Sequence, residues 1–320
     1  MKRSHQYAAL IFGSCLAISV APSADLNSIP DPLKAGLLRL VDSFRLVNSL
    51  EYESFRKMTP ESPNVISGGK YRDGKLLWRS SGSSYYYEVK PVRLESDKDI
   101  TLTVAYNGQY AQIFEPSEAV LSLAKEDFKT QPGPLTDDIF SAFSFFPSMV
   151  TGTPAFTNPV WKNIRKTETW DNIFNLAKYL GKSEVQGTQC DVIKMPAPDW
   201  FGKDTSFRVY LTTKPEAYPV KWELQNGEGK TVMRFTVQQF GESPLPGGLS
   251  FFYPAVAIKE NFGPLTDGGT ISEKPVSTVT YTISNLKVNP DLDEELFTID
   301  AGMAEAIFDV DAKELITVPK

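Results

Sequence analysis

From Leu50 onward the chain is a succession of short alternating stretches separated by two-residue turn signals. Asp73-Gly74 and Asn107-Gly108 pair residues that accept positive φ, which is what a tight hairpin turn demands. Around them, apolar and polar residues alternate with period two, as on a strand with one buried face. The pattern predicts strands at 50–57, 67–72, 75–81, 85–89, 100–106, 109–114 and 119–124. A second series is predicted at 184–185, 190–195, 206–212, 220–225, 231–240 and 249–258, with turns at Gln186-Gly187 and Asn226-Gly227. Strands follow strands without intervening helices, so the sheet is expected to be antiparallel.

The closing stretch, Val276 to Asp300, repeats the pattern. Val279, Tyr281 and Ile283 fall on one face and Thr278, Thr280 and Thr282 on the other. Asn289-Pro290 and the acids after it suit a helix start, with Asn as cap and Pro at the first position. One or two helical turns are therefore expected there, with Leu292, Leu296 and Phe297 turned inward. This last strand is expected to close the sheet.

Helices are expected in two other places. Asp31-Pro32 opens an amphipathic segment in which Leu33, Leu37, Leu40, Val41, Phe44 and Val47 form an apolar stripe. Residues 125–182 form an insert with helices at 137–146, from Asn158-Pro159, and at 169–180, the last with Gly181 as its C-cap. Rich in Phe and Trp, the insert is expected to act as a lid or a cavity wall. A tail covers 301–320, with an edge strand at 315–318.

The first 24 residues read as a secretory signal peptide. Lys2 and Arg3 precede an apolar run, Tyr7 to Val20, and small residues follow. Removing them changes the formal charge from -6 to -8, because Lys2 and Arg3 leave and no acid does. That balance disfavours broad, non-specific nucleic-acid binding. The destination expected is the periplasm or the extracellular space, with peripheral membrane contact allowed.

Only one histidine, His5, and one of two cysteines, Cys15, lie in this leader. The mature chain then has no His and a single Cys190. Ser-His-Asp and Cys-His nucleophile pairs are excluded, as are His-ligated and thiolate-rich metal sites. No phosphate-binding glycine loop is present. No catalytic residue, metal ligand or cofactor is assigned. Carboxylate pairs of the glycosidase kind remain open with 39 acids, but none stands out by spacing.

Aromatic residues are the remaining resource. Trp78, Tyr85, Tyr87, Tyr106, Tyr110, Phe114, Trp222, Phe235, Phe251, Tyr253 and Tyr281 all fall on predicted strands, and Phe143 on the insert. On the concave face of a covered sheet they would line a pocket for an apolar ligand, and in a solid core they would fill it. The candidate lining is Trp78, Tyr85, Tyr87, Tyr106, Phe114, Phe143, Trp222, Phe235, Phe251 and Tyr281.

Several stretches carry a family resemblance: LKAGLLRLVDSFRLVNSL, KLLWRSS, TVAYNGQYAQIFEP, EVQGTQCDVIKM, PVKWELQNGEGKTVMRFTVQQF and SNLKVNPDLDEELFTID. Through them the chain resembles the bacterial lipoprotein-carrier superfamily, LolA/LolB-like and including the RseB-type sensor domain, as a divergent and enlarged member. The resemblance implies a mainly β, α+β fold, an unclosed, strongly curved antiparallel half-barrel with helices over its concave face, across 25–300. It also implies a lipid or acylated protein as ligand. The carriers' Arg-Pro before an aromatic strand is replaced here by Lys75-Leu76-Leu77-Trp78-Arg79, so no ligand-gating arginine is carried over; Arg56, Arg72 and Arg79 remain candidates.

Three functions are therefore expected in order. The first is a non-enzymatic carrier or sensor of an apolar or acylated ligand. The second is a cell-envelope module that binds a protein partner through an exposed apolar patch at 143–146 or 249–253. The third is a carboxylate-dependent hydrolase. Ligand, partner and oligomeric state are left open.

Overall fold

A long apolar face organises the structure, a computed structural model that describes residues 29–59, 73–82, 84–91, 102–116, 118–125, 177–197, 204–213, 217–263 and 271–318. The expected signal peptide, the strand at 67–72, the helices at 137–146 and from Asn158, and Phe143 lie outside the described residues. Helix α1 is Asp31–Arg45. The first run of strands is β1 Ser49–Thr59, β2 Gly74–Ser81, β3 Ser84–Pro91, β4 Leu102–Tyr106, β5 Ala111–Glu115 and β6 Val120–Ala124. The second is β7 Lys178–Val185, β8 Thr188–Pro196, β9 Ser206–Thr212, β10 Pro219–Gln225, β11 Thr231–Pro244 and β12 Ser250–Asn261. Then come β13 Ser277–Val288, β14 Ala306–Asp309 and β15 Glu314–Thr317.

The fifteen strands of the described residues form one open sheet, in the order β15-β14-β6-β5-β4-β3-β2-β1-β13-β12-β11-β10-β9-β8-β7. Its pairs are antiparallel except β14 on β6. The sheet is an unclosed half-barrel, as expected. Bulges at Glu51/Glu53, Tyr179/Gly181, Pro219/Lys221 and Val237/Gln239 bend its strands. The last long strand does not close an edge. β13 sits mid-sheet, between β1 and β12, and joins the two runs.

Local chemistry accounts for the turns. Gly108 takes φ 93°, and the Asn107 side chain accepts hydrogen bonds from Gln109 N (3.0 Å) and Tyr110 N (2.8 Å). Gln186 and Gly187 both take positive φ, 51° and 79°, as the turn between β7 and β8 requires. Asp73-Gly74 differs from expectation. β2 has β1 on one edge and β3 on the other, so this pair precedes β2 instead of turning a hairpin onto it. Asp73 instead accepts from Met58 N at 3.1 Å.

Two helix expectations fail for tertiary reasons. The predicted end of a helix at 178–180 is the start of β7, held by pairing with β8, and Gly181 takes φ 95° at a bulge and caps no helix. Asn289 also caps no helix. It takes φ 53° at the end of β13, and its side chain accepts from Asn48 N (2.7 Å) and donates to Leu46 O (2.8 Å). It thus ties the exit of β13 to the α1–β1 junction, and the helical turns that follow are short 3-10 turns, Glu294–Phe297 in the expected stretch and Ala301–Met303 after it. Phe297 is buried but Leu296 is 36% exposed.

The inner face carries the core. Helix α1 packs there through Leu33, Leu37 and Leu40, with Val47 beyond its end, and Gly36 lets it approach Ala217 closely. The same cluster runs through both halves, from Tyr87 and Val104 to Ile193 and Val209. Directly opposed residues of paired strands share a face, so the outer face is identified by register. There, Glu51 joins Arg79 of β2 and Lys287 of β13. The Lys287 hydrogen bond, with Arg79 beside it, holds the Glu51 carboxyl below the usual range against partial burial. Glu223 is pushed the other way by burial, but Lys221 (2.8 Å) and Arg234 (3.1 Å) outweigh this and lower it.

The C-terminal segment seals part of the outer face. Phe114, Ala105 and Leu121 pack under Ile299 and Ala304. Gln112 fixes that crossing, accepting from Ile299 N at 2.8 Å. β14 and β15 then extend the sheet beyond β6.

Candidate functional site: an aromatic inner wall

Alternation places Tyr52, Trp78, Tyr87 and Val104 in one row across β1 to β4, because Tyr52 opposes Trp78, Trp78 opposes Tyr87, and Tyr87 opposes Val104. Tyr85, two residues before Tyr87, points the same way and opposes Tyr106. The result is a wall of five rings on four neighbouring strands. Trp78 stacks on Tyr87 (centroids 5.5 Å), Tyr85 (6.0 Å) and Tyr52 (6.5 Å), and Tyr85 meets Tyr106 at 5.6 Å. Four strands span roughly 14 Å, the product of three inter-strand spacings.

A second group lies on the other run. Trp222 stacks on Phe235 at 5.8 Å and meets the edge of Phe207 at 5.7 Å. Near the β11–β12 connection, Tyr218 packs on Phe252 at 4.5 Å. Phe251, Tyr281, Trp222 and Phe235 all belong to the core cluster that contains the five-ring wall.

The structure therefore brings together Trp78, Tyr85, Tyr87, Tyr106, Trp222, Phe235, Phe251 and Tyr281. It does not bring Phe114 to them. Phe114 opposes Thr103 and Leu121, one residue out of phase with the Val104–Ile113 pair, and so faces outward into the cluster under the C-terminal segment. Tyr110 lies in the β4–β5 turn and is 45% exposed. Tyr253 lies over Gly241 of β11, where an added Cβ would come within 2.2 Å of its ring.

Two inner-face features were not anticipated. Tyr52 is fully buried in the wall; the alternation Leu50-Tyr52-Ser54 carried that signal. Tyr179 donates to Asp191 at 2.7 Å, and both fall on the inner face, since Tyr179 opposes Ile193 and Asp191 opposes Leu211. Nothing local in the sequence marked that pair, because Tyr179 lay in an expected helix.

Charge is scarce among these aromatics. Asp191 and Glu223 are the buried acids among the described residues. Asp191 faces inward and Glu223 outward, since Glu223 lies on Arg208 and Arg234 next to the inward Trp222. They cannot face each other across a cleft, as paired glycosidase carboxyls do. No group of three metal-ligating side chains occurs among the described residues, and no described helix is long and apolar enough to cross a membrane.

No protein-family profile matches the chain and no curated protein matches it. Solved structures are similar to it at low sequence identity. They include a DUF1329 family protein from Desulfovibrio piger, at 14% identity and TM-score 0.44, covering 84% of this chain and 98% of that one. A putative outer membrane lipoprotein-sorting protein domain from Vibrio parahaemolyticus has 10% identity and TM-score 0.40, covering 83% and 97%. A LolA superfamily protein from Nitrosomonas europaea has 11% identity and TM-score 0.38, again covering 83% and 97%.

Proposed function

We propose that this chain is an exported, non-enzymatic protein that binds an apolar or acylated ligand against the inner face of its half-barrel, as a carrier or a sensor. The observation that carries this reading is the five-ring wall. It sets five aromatic side chains in mutual contact across four strands, within the apolar cluster on the face where helix α1 lies. Such surfaces suit hydrocarbon chains, which need area and no partners. The carrier reading also agrees with the absence of His from the mature sequence.

Native mass spectrometry of the mature protein, purified from its own envelope fraction, tests this. A discrete extra mass removed by organic solvent, and absent from a Tyr87→Lys variant of unchanged secondary structure, is the expected result. An unliganded mass, together with no uptake of a fluorescent fatty acid in vitro, would reject it.

For the envelope-module reading, Phe251 of the stretch 249–253 is fully buried, while Leu249, Phe252 and Tyr253 remain partly exposed. The other stretch, 143–146, lies outside the described residues.

A further inference from the structure

Two polar side-chain atoms among the described residues are buried without a hydrogen-bond partner: Trp78 Nε1 and Arg208 Nε. Arg208 lies on the outer face, opposite Glu223, on a partly buried side chain away from the aromatic wall. Trp78 is different. It is 5% exposed, and its ring is held by Tyr52 on one side and by Tyr85 and Tyr87 on the other. An indole N–H can only donate. Buried donors are almost always paired, and leaving one unpaired costs about 1–3 kcal/mol.

We infer that Trp78 Nε1 is the polar anchor of the ligand site and donates to a carbonyl oxygen of a neutral acyl ester. This rests on the reading that the inner wall holds a ligand. The chemistry of the neighbours selects the acceptor. On the inner face, Trp78 is bordered by Tyr52, Leu76, Ser80, Tyr85 and Tyr87, none of which is charged at neutral pH. A carboxylate or phosphate placed there would lose its hydration with no counter-charge among these neighbours, since the inward cation of β1, Arg56, lies two register rows away beside Gly74. A neutral ester carbonyl loses little hydration and needs one donor, which is what Trp78 supplies. The hydrocarbon attached to that carbonyl would then lie along the rings of Tyr85 and Tyr106. The wall is thus selective for acylated glycerides and acylated protein termini over plain hydrocarbon.

The test crosses one atom in the protein with one in the ligand. Binding of a diacylglycerol and of its dialkyl-ether counterpart, equal in chain length, is measured on the mature protein and on Trp78→Phe. Phe keeps an aromatic ring at the wall and removes the N–H. The expected result is a loss of roughly tenfold for the diester on substitution, with the diether unchanged within about twofold. In the unmutated protein, the Trp78 indole N–H resonance is expected to move on adding the diester and to stay on adding the diether. This second readout holds even if the variant folds poorly. Equal losses for both ligands, or an N–H resonance that ignores the ester, overturns the anchor while leaving apolar binding intact. Binding of neither ligand by the unmutated protein overturns the underlying reading and the anchor with it.

Discussion

At the scale of single residues, Tyr179 on the inner face is a phenol paired with a buried acid. Burial, and then the hydrogen bond it donates to Asp191, push the Tyr179 hydroxyl up to about 12. An unfolded tyrosine titrates near 10, so between pH ~10 and ~12 the unfolded chain gives up this proton first. The stabilising contribution is complete below pH ~10 and is lost as pH rises through that window. Tyr179→Phe should therefore show a shallower fall in stability over the same range, and its phenolate absorbance should lack a component titrating near pH ~12. Superimposable profiles for the two proteins would show that Tyr179 does not titrate late. Asn289 shows a residue type read correctly but in the wrong role. Its side chain is expected to cap a helix start, and the fold instead uses Asn289 at φ 53° to turn the chain and fasten residues 46–49.

At the scale of elements, β11 and β12 are the longest-paired neighbours, running from Met233–Asn261 to Pro244–Ser250. Gly241 lies opposite Tyr253, whose ring fills the space a side chain would take. Gly241→Ala should cost about 1–3 kcal/mol in urea unfolding, since the ring must move within a packed sheet. Combined with Tyr253→Leu, the two losses should total less than their sum, because the second change frees the space the first needs. Strict additivity would place the strain elsewhere. Element existence was legible wherever alternation was long: β9 occurs at 206–212 as expected, and β4, β5, β6 and β10 within one or two residues. β7 ends where a strand is expected, at 184–185, but its first residues, 178–180, differ from the expected helix because pairing with β8, and not their own composition, decides their form. β14 escaped notice because four residues of modest hydrophobicity become a strand only by lying parallel to β6.

At the scale of the whole molecule, the C-terminal segment does two jobs: it covers the outer face of the first run and lengthens the sheet. A chain ending at Val288 would lose Phe297 and Ile299, each buried, and should be less stable by about 3–6 kcal/mol at roughly 1.5–3 kcal/mol per side chain. It should also bind an apolar dye through the uncovered Phe114 and Leu121. An unchanged urea midpoint would mean that the segment merely rests on the sheet.

The sequence by itself determined the class of fold, the two runs of antiparallel strands and the inward set Trp78, Tyr85, Tyr87 and Tyr106, because side-chain direction alternates with period two along any strand. It also marked Val279, Tyr281 and Ile283 as one face of β13, and they are buried as such. Only the tertiary structure decided where β13 lies, since strand order depends on pairings between residues more than two hundred positions apart, such as Leu50 and Val288. The same holds for Phe114. Its phase on β5 was readable, but its face has a meaning only relative to the partner strands and to the segment, nearly two hundred residues later, that covers it.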